Sequence, residues 1–148
     1  MNIKERLLMG LFDENENKTI DDYAEEGNSF FDLGKYDDAI GIWKLGLDAV
    51  SDPENAQSES VWFQTSIADA YFMQDKFSEA YGFFFEAKAN LSGEGYNNPF
   101  VMLRLGQCAY ELNKEDYKEY LLRAYMLAGE EIFEADDEKY FESIKDLL

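Results

Sequence analysis

The sequence predicts an all-α protein, about three helical hairpins stacked side by side and closed by a terminal amphipathic helix. Three observations carry that prediction. Apolar residues recur at intervals of three and four almost throughout. The two prolines, Pro53 and Pro99, both fall between periodic stretches. One arrangement of small and aromatic residues appears three times along the chain. Nothing in the pattern reads as a strand. At 148 residues, 46% hydrophobic and 16% aromatic, the chain has the size of one domain and is too apolar for disorder.

The elements follow in order. Residues 1–18 form an N-terminal segment in which Ile3, Leu7, Leu8, Leu11 and Phe12 make an amphipathic turn or two, either a cap packed on the first hairpin, the favoured expectation, or a docking element. The first hairpin, 19–50, opens on a capping box of Thr19 and Asp22, runs through Tyr23, Ala24, Gly27, Phe30 and Phe31, and stops at Gly34. Its second helix sets Ala39, Ile40, Trp43, Leu47 and Val50 on one face, until the stretch around Pro53 ends it. The second hairpin, 58–91, carries Ile67, Ala68 and Tyr71, a turn at Gln74 and Asp75, then Phe77, Ala80, Phe84 and Ala87. Gly27 to Ala39 and Ala68 to Ala80 have the same spacing, and each later alanine is followed four residues on by an aromatic ring. The third hairpin, 98–128, opens on Asn98 as cap with Pro99 at the first helical position, carries Leu105, Gly106, Tyr117, Leu121 and Ala124, and stops at Gly129. The segment 136–148, with Tyr140, Phe141, Ile144 and Leu147, has the place and polarity of a closing cap helix.

These residues resemble the tetratricopeptide repeat family, whose ~34-residue unit sets small and aromatic residues at fixed offsets over two helices. Gly27, Phe30, Gly34, Tyr36, Ala39 and Trp43 stand at family positions in the first copy, and Ile67, Ala68, Tyr71, Phe77, Ala80, Phe84 and Ala87 in the second. The third copy departs: its turn is one residue shorter, and Tyr117 stands where a small alanine belongs. The steps between copies exceed the family's, and the loops 51–58 and 91–98 absorb the excess. The resemblance implies a right-handed α-α superhelix. More narrowly, the stretches around Leu103–Cys108, Tyr120–Phe133 and Lys139–Glu142 resemble small stand-alone bacterial repeat proteins, some of them encoded beside polymorphic toxins as their immunity proteins.

The resemblance also implies a site. In the family the first helices of successive hairpins line a concave face. The matching positions here are Asp21, Asn28, Phe31 and Asp32, then Trp62, Thr65, Asp69, Phe72 and Met73, then Arg104, Gln107, Tyr110 and Glu111. An aromatic floor with acidic walls suits a basic helix or extended segment. One use of the family, gripping the terminal carboxylate of a chaperone tail, calls for lysines where this chain has Ala24 and Phe100, so that use is not expected here although Asn28 and Arg104 match two other positions. The convex face and the two inter-repeat loops stay open as binding surfaces.

Composition narrows the function further. The chain holds 32 acids against 13 bases, for a formal charge of -19. That excess is spread evenly along the chain, a field that repels nucleic acid and anionic membranes and draws basic proteins in. Self-repulsion of this size favours a monomer or weak dimer. With no histidine and one cysteine, Cys108, the usual general base, the paired nucleophile and the His/Cys metal sets are missing. Cys108 reads as a small packed residue. Asp21 and Asp69 are paired carboxylates without a nucleophile, metal set or cofactor motif beside them, so no enzyme, cofactor or metal is expected. The acidic runs Asp13–Glu16, Asp21–Asp22 with Glu25–Glu26, and Glu130–Glu138 read as a solvated face, lacking any calcium-loop spacing. Gly93 to Gly95 reads as a turn, lacking the Gly-Lys-Ser/Thr of a phosphate cradle. No apolar run approaches the ~18 residues of a membrane span, and Met1 to Phe12 is too short and interrupted for a signal peptide, which makes a cytoplasmic location the expectation. The function expected is a non-catalytic interaction module for a basic protein, most sharply an immunity protein covering a toxin domain. The alternative is a repeat-type chaperone or adaptor for a secreted or assembling protein.

Overall fold

A computed structural model describes residues 18–52, 56–90 and 97–148. The amphipathic start with Ile3 to Phe12, the acidic run 13–16, Pro53 and the 93–95 turn lie outside the described residues. The main helices are α1 (Ile20–Asp32), α2 (Tyr36–Ala49), α3 (Ala56–Met73), α4 (Phe77–Asn90), α5 (Pro99–Glu111) and α6 (Tyr117–Ala128). They pair as α1/α2, α3/α4 and α5/α6, each hairpin packs on the next, and the first helices α1, α3 and α5 also touch in sequence along one side. That is an α-α superhelix with α1, α3 and α5 on its inner face.

Side chains cap the starts of α1 and α5. The Thr19 hydroxyl accepts from the Asp22 N–H (3.1 Å) while the Asp22 carboxylate accepts from the Thr19 N–H (3.0 Å), so two otherwise orphaned donors are satisfied reciprocally. The Asn98 side chain accepts from the Val101 N–H (3.1 Å) ahead of α5. The ends of the three inner helices share one device. Gly34, Asp75 and Asn113 all take left-handed backbone, at φ 74°, 60° and 57°. The following N–H then reaches back to close the last turn: Lys35 to the Phe30 carbonyl (2.9 Å), Lys76 to Tyr71 (3.0 Å) and Lys114 to Ala109 (2.8 Å).

Close approach within the hairpins depends on missing side chains. A Cβ on Gly27 would lie 2.0 Å from the Trp43 indole nitrogen, and one on Gly106 would lie 2.5 Å from Leu121. The shorter third turn therefore keeps the contact, since Leu121 takes the place of Trp43 against the small residue of the partner helix. Tyr117, too large for the alanine position, stays half-buried and stands edge-on to Tyr110 at 5.3 Å. Two buried clusters result: Tyr23, Ile40, Trp43, Phe63 and Ile67 between the first two hairpins, and Phe84, Met102, Leu105, Leu121 and Ile144 around the third. Tyr71 stacked on Phe83 at 5.8 Å adjoins both clusters.

The closing segment differs from the continuous helix expected over 136–148. It begins earlier, as a 3-10 turn at Glu130–Phe133, continues as the short helix α7 (Glu138–Glu142), and ends as a 3-10 turn at Lys145–Leu147. The physical reason is geometric. Phe133, Tyr140 and Ile144 are all buried against the last hairpin, and breaks between short turns let three anchors so spaced face one surface.

Candidate protein-binding groove

The inner helices carry a one-sided charge pattern. α1 holds five acids, Asp21, Asp22, Glu25, Glu26 and Asp32; α3 holds Glu59 and Asp69; α5 holds Glu111. Against these stands one cation within the inner helices, Arg104; Lys18, just ahead of α1, pairs with Glu26 of that helix, and the other described lysines and Arg123 lie on the outer helices, turns and tail.

Arg104 is committed within the fold. Its Nε donates to Asp69 (3.0 Å), and its Nη1 donates to Gln107 (2.7 Å) and to Asp136 of the closing segment (3.0 Å). Gln107 in turn donates to the second Asp136 oxygen (3.0 Å). The guanidinium lies 4.1 Å from the centre of the Phe72 ring. Burial pushes the Asp69 carboxyl above its ordinary value; Arg104 opposes that rise and the nearby Asp136 charge adds to it. Beside this network Glu111 takes the Lys139 ammonium and the Tyr140 hydroxyl (2.8 Å), and Tyr140 stands edge-on to Tyr110 at 5.5 Å. Burial, with the hydroxyl donating to Glu111, drives the Tyr140 phenol far up.

The thirteen expected positions therefore separate. Asp69, Phe72, Arg104, Gln107, Tyr110 and Glu111 come together, but around the chain's own tail. Gln107 is wholly buried and Arg104 nearly so, so neither lines an open groove; Asp136 covers both. Phe31 turns inward, packed against Tyr36 (5.1 Å) and Trp43 (5.9 Å). The Thr65 hydroxyl is buried and without a hydrogen-bond partner among the described residues. Asn28, Asp32 and Met73 are exposed. Asp21 and Trp62 line a cleft of about 420 Å³ between α1 and α3, with Ile20, Ala24, Ser58, Glu59 and Phe63. A second cleft, about 320 Å³, lies where the tail meets the α3/α4 turn, among Phe72, Asp75, Phe77, Glu111, Asp136, Asp137, Lys139 and Tyr140.

The residues that sequence reasoning missed are Asp136, Lys139 and Tyr140. One signal pointed to the first: Arg104 is the sole charge in the run Val101–Ala109, and a guanidinium buried in such a run needs carboxylate partners. Elsewhere, burial pushes the Cys108 thiol up to about 12, as befits a packed residue. Among the described residues no helix is long and apolar enough to cross a membrane, and no trio of acids and cysteine is grouped to hold a metal.

Stacked hairpins with a groove along the inner helices define a class, the helical-repeat scaffolds that bind other proteins. Comparison points to one branch of it. No family model matches the sequence, and no curated protein matches it. Among solved structures, the chain is similar to the first tetratricopeptide-repeat domain of Spaghetti (RPAP3) bound to the HSP90 peptide SRMEEVD. The TM-score is 0.60 and the identity 28%, covering 84% of this chain and 89% of that one. The likeness supports a tetratricopeptide-type protein-interaction module.

Proposed function

We propose that the chain is a non-catalytic module that takes a basic protein segment along its inner face. One observation carries the reading: the single cation of the three inner helices, Arg104, is already held by Asp69 and Asp136. A ligand approaching that face meets carboxylates and half-exposed rings, with no free cation on the inner helices to attract an acidic tail. The Spaghetti domain's peptide contains three acidic residues and one arginine; charge repulsion makes such a peptide a poor ligand here. The acidic field steers a basic partner in, and the rings supply buried area once it docks.

The basic partner has two candidate identities. One is a toxin domain, the chain then acting as its immunity protein; the other is a client held by a chaperone or adaptor, a role closer to the HSP90-peptide complex of the Spaghetti domain. The test is a pull-down from native lysate at low and moderate salt, then titration of the purified partner. The reading expects one stoichiometric basic protein whose association slows as salt rises. A toxin-like domain would select the first identity, and a secreted or assembling protein the second. Capture of acidic proteins alone, or of nothing at either salt, contradicts the reading.

A further inference from the structure

Three of the chain's own cations lie against an aromatic ring with a carboxylate nearby. Arg104 lies over Phe72 with Asp69 beside it, as described above. Lys139 lies 5.2 Å from the Tyr140 ring while paired with Glu111. Lys114 lies 4.9 Å from the Tyr81 ring, whose hydroxyl meets Asp116. A ring supplies its negative face and a carboxylate supplies the charge, and together they hold a cation better than either alone.

The cleft between α1 and α3 has the same ingredients without a cation in it among the described residues. Trp62 is 40% exposed, and Asp21 and Glu59 line the cleft with it over an apolar floor of Ile20, Ala24 and Phe63. The indole is fixed from two sides, perpendicular to Trp43 at 5.9 Å and to Phe63 at 5.3 Å. An exposed tryptophan held this firmly loses little freedom on binding, the condition that makes an aromatic residue an anchor.

We propose that this cleft is the seat for an arginine side chain of the partner segment, a deepening that rests on the basic-partner reading above. The planar guanidinium stacks on Trp62, and its N–H groups point to the Asp21 and Glu59 carboxylates at the rim. Arginine suits the seat better than lysine: it is flat, it offers a fork of donors to two acceptors, and it gives up its hydration more readily.

The test titrates the full chain at low salt with a short Gly/Ser peptide carrying one arginine, and with its lysine and citrulline counterparts, following the two tryptophan indole N–H resonances by NMR. The arginine peptide should shift the Trp62 resonance more than that of the buried Trp43, whose N–H is held by the Ala24 carbonyl. The lysine peptide should bind more weakly, and the uncharged citrulline peptide should not bind. Trp62→Leu should weaken the arginine peptide roughly tenfold. The Asp21→Asn, Glu59→Gln pair, which leaves the ring packing alone, should do the same. Unchanged affinity in both variants overturns the seat while leaving a basic ligand elsewhere on the acidic face. Failure of the wild-type chain to bind either the arginine or the lysine peptide, with Trp62 unmoved, overturns the seat and the basic-partner reading together.

Discussion

Arg104 is 9% exposed and divides its donors among Asp69, Asp136 and Gln107. Removing it strands two partly buried carboxylates and the amide of Gln107, so Arg104→Ala should cost about 3–5 kcal/mol in urea unfolding. Asp136→Ala should cost less, because Asp69 still answers the guanidinium, and the double variant should fall short of the sum of the two. A loss within ~0.5 kcal/mol for Arg104→Ala would mean that the network contributes nothing. The residue also shows where sequence reasoning stops. Family spacing put Arg104 beside the groove, and a sole charge within the apolar run Val101–Ala109 needs a carboxylate partner. Asp136, 32 residues further on, could not be chosen from among the acids of 130–138, because the pairing is made by a tail whose path no helical periodicity sets.

The helix ends were the most legible elements, since each depends on a few adjacent residues. Thr19 with Asp22, Asn98 with Pro99, and Gly34 all act as the sequence suggests, because capping is local chemistry. The hairpin contacts were legible for a related reason: small residues facing large ones at fixed offsets permit one close packing. The closing segment was less so. Tyr140, Phe141, Ile144 and Leu147 fit a helical stripe, yet burying Phe133 as well breaks the segment into short turns, a tertiary demand that overrides local pattern. The shared left-handed end gives a paired prediction. At Gly34 an added Cβ meets nothing within 4 Å, so Gly34→Ala should cost about 1 kcal/mol through backbone conformation alone. Asp75→Gly and Asn113→Gly should each stabilise by up to about 1 kcal/mol, because they remove that same strain. Thermal melts of the three variants decide it; a destabilising Asp75→Gly would mean that its side chain does more than tolerate the turn.

For the molecule as a whole, burial sets an alkaline limit. Burial pushes Cys108 and Tyr120 up to about 12 and shifts Tyr81 and Tyr140 in the same direction. Unfolded, these groups ionise nearer their ordinary values of 9.0 and 10.0. Folded-state values above the unfolded ones mean that the unfolded chain releases protons first. Their contribution is complete below about pH 9 and is lost as pH rises through the window toward 12. Melting temperature should therefore drop steadily from pH 9 upward, on top of the self-repulsion of a chain already at -19. A flat profile from pH 8 to 11 would contradict the burial of these groups.

The segregation of charge, eight acids and one committed cation on α1, α3 and α5, is the property from which the functional reading grows. The most direct measurement is a competitive titration of the full chain with two peptides, SRMEEVD and a counterpart of equal length with lysine at its three acidic positions, at low and moderate salt. The lysine peptide should bind, more weakly as salt rises, and SRMEEVD should not. Preferential binding of SRMEEVD would contradict the functional reading.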